Sequence, residues 1–148
     1  VVPCRISLVT LGVTDVAMAT AFYESLGWRR SSASVEGSVT FFNTAGPVFS
    51  LFGRGPLAED AGLEVDEAAA AAGGFRSVAL AVNLDSPAAV DEAVQMWVET
   101  GGRVVRAPEA VFWGGYRGYV ADLDGHLWEF AHNPGFTQGT VTVERAPD

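Results

Sequence analysis

Apolar and polar positions alternate through "RISLVTLGV", a period of two that predicts a β-strand. After Thr14 and Asp15, either of which can cap a helix, the period lengthens. Ala19, Phe22, Tyr23 and Leu26 then fall on one helical face, and Gly27 stops the run. Three short β-like runs follow, "WRRSSA", "SVTFFN" and "PVFSLF", separated by Gly and Asn turn signals. The second half repeats this order. "FRSVALAVN" reads as a strand, and Ser86 with Pro87 opens a helix whose stripe is Val90, Val94, Trp97 and Val98. Gly101 and Gly102 end that helix, and "RVVRA", "GYRGYVA" and "HLWEFAH" supply three more β runs. The Asp124-Gly125 pair between the last two is a strong hairpin signal.

The chain therefore reads as one α+β domain, a βαβββ unit written twice with a period of about seventy residues. The first module covers residues 4–53 and the second 75–133, with a tail at 134–148. Between them "GRGPLAEDAGLEVDEAAAAAGG", residues 54–74, is too polar and too rich in small residues for a core element. It reads as a linker with a short alanine-rich helix.

Composition narrows the partners. The 148 residues are 49% hydrophobic and 18% charged, which is globular and not disordered. No apolar run is long enough to span a bilayer, and "VVPCRISLVTLGV" reads as a strand and not as a signal peptide. Cys4 is the single cysteine, which excludes an internal disulfide and fits a reducing cytoplasm. The net charge of −9 disfavours nucleic acid and anionic membranes as partners; it serves solubility first and would also favour approach of a cationic small molecule. No glycine loop stands in the strand–turn–helix setting that a phosphate needs.

The pattern "LVTLGVTDVAMATAFYESLGW" early and "GYVADLDGHLWEF" late resembles the vicinal oxygen chelate superfamily. That group holds glyoxalase I, extradiol dioxygenases, fosfomycin-resistance enzymes and bleomycin-binding resistance proteins. The resemblance covers about residues 5–133. It implies two βαβββ modules forming a curled mixed sheet around a central cleft, in a homodimer.

It also implies, in the enzymes, a divalent metal held by His and Glu from strands of both modules. Imidazole and carboxylate suit such metals, and open positions let vicinal oxygens chelate. Transferred residue by residue, the pattern puts Leu8 at the first ligand position, Ser50 late in the first module, Ser77 in the second and Glu129 last. Leu cannot bind metal and Ser binds it poorly. A single carboxylate does not hold a transition metal against water, so no metal and no cofactor is expected. His126, in the turn, and His132, on the opposite face of a regular strand, do not join Glu129.

Glu129 lies between Trp128 and Phe130, where a charge is costly unless paired, solvated or ligand-bound. By alternation it shares a face with Leu127 and Ala131. Ile6, Leu8, Thr10 and Gly12 on the first strand, and Ser77, Ala79 and Ala81 on the fifth, would line the same cleft and leave room for a ligand. A three-residue turn would set Tyr119 opposite Glu129 and Arg117 opposite Ala131; a two-residue turn would turn both away. Glu129 then has three possible fates: a structural carboxylate satisfied by Arg117, Tyr119 or water, a recognition group, or a general acid or base. In "FWGGY", Phe112, Trp113 and Tyr116 beside Gly114-Gly115 suit a lid over a planar ligand, and equally hydrophobic core or a dimer interface.

The ligand-binding set is thus Phe112, Trp113, Arg117, Tyr119, Ser77 and Glu129, with Glu129 the candidate catalytic group. One reading is a metal-independent protein that sequesters an antibiotic or another planar or cationic ligand, similar to the bleomycin-resistance proteins. The other is an enzyme, a lyase, isomerase or dioxygenase, with a reassigned metal site or Glu129 acting alone.

Overall fold

Each half of the chain buries one face of a small mixed sheet under a helix, and the computed structural model describes residues 1–134 of it. The C-terminal tail foreseen at 134–148 lies, apart from Pro134, outside the described residues. The first unit, Val1–Ala70, holds β1 (Leu8–Val13), α1 (Val16–Ser25), β2 (Val39–Phe42), β3 (Val48–Gly53), α2 (Arg54–Asp60) and most of α3 (Glu67–Ala72). The second, from Ala71 onward, holds β4 (Ala79–Asn83), α4 (Pro87–Glu99), β5 (Arg103–Ala110), β6 (Tyr116–Ala121) and β7 (Leu127–His132).

In the first unit the order is β1-β3-β2, with β1 parallel to β3 and β2 antiparallel to it. In the second it is β4-β7-β6-β5, again with the first strand parallel to the last. Asp15 caps α1 by accepting from the Met18 amide at 2.9 Å, and Ser86 caps α4 by accepting from Ala89 at 3.1 Å. Tyr23 of α1 packs on Phe49 and Phe42 at ring distances of 4.9 and 6.2 Å, and Trp28 closes over the same cluster. Phe41 and Phe52 instead lie on the opposite sheet face, in register with Ser50 and with Gly12. In α4, Val90, Val94 and Trp97 are buried, whereas Val98 stays 45% exposed at the edge of the stripe.

Two stretches differ from the pattern-based expectation. "WRRSSA" forms only an isolated bridge, Arg30 to Phe42, because its serines take over the ladder bonds. The Ser31 amide still donates to the Phe41 carbonyl, but the Phe41 amide donates to Ser34 Oγ at 3.0 Å and the Ala33 amide to Ser31 Oγ. Such local side-chain bonds compete with a strand ladder. In the segment read as a linker, α3 is the alanine-rich helix, while α2 packs against β1 and β3. A methyl group on Gly12 would stand 3.3 Å from Leu57 Cδ2 and 3.4 Å from Arg54 Cα, so α2 occupies the space that Gly12 leaves.

The second unit turns on two tight fits. Trp97 is 1% exposed, rests on Trp128 and Phe130, and donates through Nε1 to the Ala121 carbonyl at 2.8 Å. Gly102 lies so close beneath it that an added methyl would stand 2.3 Å from the indole. At the hairpin, Asp122 is buried and its Oδ1 accepts from the amides of Asp124 at 3.0 Å and His126 at 2.8 Å. Gly125, at φ +80°, completes the three-residue turn.

Gly102→Ala must displace Trp97 or the strand, and we expect a loss of about 2 kcal/mol in urea unfolding. Asp122→Ala leaves two turn amides without their acceptor and should cost about 1–3 kcal/mol; Asp122→Asn, which keeps the acceptor oxygen, should cost markedly less.

Candidate functional site

The three-residue turn fixes which side chains share a face. Asp122 pairs with His126 through its amide, Tyr119 stands opposite Glu129, and Arg117 stands opposite Ala131. Because β4 runs parallel on the other side of β7, Ala81 also pairs with Glu129. β5 would lose this register without two bulges, which bring Arg106 opposite Tyr119 and Glu109 opposite Arg117. One row across the sheet is therefore Ala81, Glu129, Tyr119 and Arg106, and the next is Asn83, Ala131, Arg117 and Glu109. Both lie on the face turned away from α4, since Val120, Trp128 and Phe130 occupy the other.

Glu129 is half-buried, flanked by the small side chain of Ala81 and the ring of Tyr119, and makes no hydrogen bond or ion pair among the described residues. The guanidinium group that could have neutralised it is committed elsewhere. Arg117 Nη1 donates to Glu109 Oε1 at 3.1 Å, and its carbon centre stands 5.6 Å over the Tyr119 ring. Arg106 joins the same oxygen, with Nε at 2.8 Å and Nη2 at 2.6 Å. The bond from Arg117, then that from Arg106, holds the Glu109 carboxyl below the usual carboxylate range. Sequence reasoning missed Arg106 and Glu109. Three residues apart, they share no face of a regular strand; Pro108 was the signal, a proline inside a strand marking a bulge. Its ring packs on Gly118, where a methyl group would stand 3.0 Å from Pro108 Cγ.

The other candidate residues sit further out. Phe112 and Trp113 form the tip between β5 and β6, 98% and 58% exposed, with their rings edge to face at 5.0 Å. Gly114, at φ +91°, turns the tip, and the Val111 amide donates to the Gly115 carbonyl at 2.9 Å. The Trp113 indole folds back over Gly115 beside Asn133, at the end of the strands and beyond the Arg117 row. Tyr116 belongs to the opposite face, where its hydroxyl donates to Asp91 of α4 at 2.8 Å; that bond raises its phenol above the usual value. Ser77 precedes β4, exposed and at φ +58°, so the alternation that would align it with Ala79 and Ala81 stops at Ala79.

The first unit has an equivalent row with different chemistry: Thr10, Ser50 and Phe41 correspond to Ala81, Glu129 and Tyr119. The Thr10 and Ser50 hydroxyls bond each other at 3.1 Å, and Ser50 is 2% exposed. By the same register Leu8 corresponds to Ala79 and not to Ser77, since Leu8 pairs with Val48 and Ala79 with Leu127. With Ala79 in place of Ser77, the positions that the resemblance assigns to the ligands of a metal thus carry two hydrocarbon side chains, one hydroxyl and one carboxylate. That donor set does not fit it. Among the described residues no three of His, Cys, Asp and Glu converge. His126 Nδ1 lies 3.0 Å from Arg76 Nη1, and His132 Nδ1 lies 3.0 Å from the Leu84 carbonyl oxygen. A separate hollow of about 430 Å³ lies between α1 and the serine-rich turn. Its floor hydroxyls, Thr20 and Thr40, bond each other at 2.7 Å.

Comparison with known proteins gives the architecture a family. A family model, "Glyoxalase/Bleomycin resistance protein/Dioxygenase superfamily", matches residues 5–130. A glyoxalase-related enzyme from Fulvimarina pelagi is 32% identical, covering 97% of this chain and 99% of its own, at a TM-score of 0.81. A glyoxalase/bleomycin resistance protein/dioxygenase from Nocardioides shares the fold at 23% identity and a TM-score of 0.70, covering 96% of this chain and 92% of its own. A lactoylglutathione lyase from Agrobacterium tumefaciens does so at 21% and 0.67, covering 91% and 99%. No curated protein matches the sequence significantly. Parallel pairing of first and last strands in both units, a matched family model over most of the chain and a full-length relative together carry one conclusion: this chain belongs to the glyoxalase/bleomycin resistance protein/dioxygenase superfamily.

Proposed function

We propose that this protein binds a small planar, cationic molecule without a metal and sequesters it, as a homodimer, with the α4-free face of the second sheet as its binding surface. The observation that carries this reading is the state of Glu129. It is a half-buried carboxylate with no hydrogen bond or ion pair among the described residues, beside an aromatic ring on one side and an alanine on the other. Of the partners a structural carboxylate could take, Arg117 instead holds Glu109. A cation supplied by a ligand completes the pairing that the fold leaves open, and the Tyr119 ring offers a stacking surface beside it. The exposed Phe112–Trp113 tip fits a lid that closes on a planar ligand from the strand ends. Among the described residues no helix is long and apolar enough to cross a membrane, and exposed Cys4 suits a reducing, cytoplasmic setting.

A second reading has its own support, because the relative from Fulvimarina pelagi is called an enzyme. In it Glu129 acts as a general acid or base, or a reassigned metal site serves, in a lyase, isomerase or dioxygenase.

Native mass spectrometry before and after chelator separates the two. We expect a dimer whose mass the chelator does not change; one firmly held transition metal per chain would overturn the sequestration reading and send the search to lyase and oxygenase activity. Calorimetric titration with 4-(aminomethyl)biphenyl, an extended aromatic cation, should give saturable binding insensitive to chelator. Glu129→Gln should weaken it about tenfold by removing a charge-assisted bond.

A further inference from the structure

Resting on the reading above, we infer that the ligand of this face is a zwitterion: a planar body carrying its cationic group at Glu129 and an anionic group, about 10 Å away, at Arg106. The separation follows from the sheet. Glu129 and Arg106 belong to the same row, two strands apart, and strands lie about 4.8 Å from one another.

The anionic end is argued from a charge imbalance. Nε and Nη2 of Arg106 and Nη1 of Arg117 all converge on Oε1 of Glu109. Two guanidinium groups thus share one carboxylate, which leaves a net positive charge in a protein whose overall charge is −9. The remaining N–H groups of both arginines have no protein partner among the described residues, and guanidinium donors are arranged to take a carboxylate in a two-point grip. The side chain of Arg117 is only 11% exposed, so it fixes Glu109 and contributes charge from below. Arg106, 61% exposed, is the group that can reach out to a ligand.

Between the two ends lies Tyr119, directly opposite both Glu129 and Arg106 and already stacked under Arg117. Its ring keeps the free carboxylate from reaching the arginines and marks where the planar body lies. A ligand bearing only a cation would leave the arginine pair uncompensated; one bearing only an anion would leave Glu129 so. A zwitterion of matching length satisfies both.

The test compares three biphenyls by calorimetric titration of the intact protein: 4′-(aminomethyl)biphenyl-4-carboxylate, 4-(aminomethyl)biphenyl and biphenyl-4-carboxylate. We expect the zwitterion to bind about tenfold more tightly than either singly charged probe. Arg106→Gln, at an exposed position, should remove the zwitterion's advantage over the cation. Glu129→Gln should remove the advantage over the anion. If the cation binds as tightly as the zwitterion and Arg106→Gln changes neither, the zwitterion inference is wrong while the Glu129 surface stands. If none of the three binds, the surface itself is misassigned and both readings fall.

Discussion

One buried carboxylate decides what faces what in the second sheet. Asp122 Oδ1 accepts two amides of the turn and thereby commits it to three residues. A turn one residue shorter would shift β6 against β7, and in a strand that shift sends every side chain to the other face. Tyr119 and Arg117 would then lie against α4, and Val120 would stand opposite Glu129. The aromatic packing of Trp97 on Trp128 and Phe130 holds the same parity from the other side, because those rings are buried only if Glu129 points away from them. Local turn chemistry and helix packing agree, and that agreement is why the register is well specified.

The two units share a plan and differ in what they leave open. In the first, the row Thr10, Ser50 and Phe41 ends in two hydroxyls that satisfy each other, and α2 fills the space beside Gly12. In the second, the counterpart of Ser50 is a carboxylate, the counterpart of Thr10 is an alanine that cannot bond it, and no helix follows the last strand among the described residues. The duplication thus supplies, from the same strand order, one row whose hydroxyls bond each other and one whose carboxylate has no bond among the described residues.

Much of this was legible in the sequence because it depends on local physics. Alternation, the Asp15 and Ser86 caps, the helix stripes and the Asp124-Gly125 turn are decided within a few residues of one another. The strand at "WRRSSA" was misread because serine hydroxyls took the bonds that a ladder would have used. Val98 was misplaced because it sits at the margin of a helical stripe, where the neighbouring sheet decides burial. The partner of Arg117 was invisible for a different reason. Glu109 stands opposite it only because β5 bulges twice, once before Arg106 and once around Pro108, each bulge moving the pairing by one residue; the first also turns Arg106 onto this face, which no period of two can show.

The charges on the open face are better explained by recognition than by stability. Two unit charges about 10 Å apart attract by only about 0.4 kcal/mol in water, and physiological salt screens them over about 8 Å. Glu129 and Arg106 therefore do little for each other across the Tyr119 ring. Stability alone would favour a different arrangement, with a carboxylate for each arginine and an apolar or hydroxyl residue at 129, as Ser50 is in the first unit. What the sheet holds instead is a half-buried negative group and an undercompensated positive group at fixed spacing, on strands whose register is pinned at the turn. Ends that barely interact with each other remain free to interact with a third body, and a rigid sheet presents both without the entropic cost of arranging them.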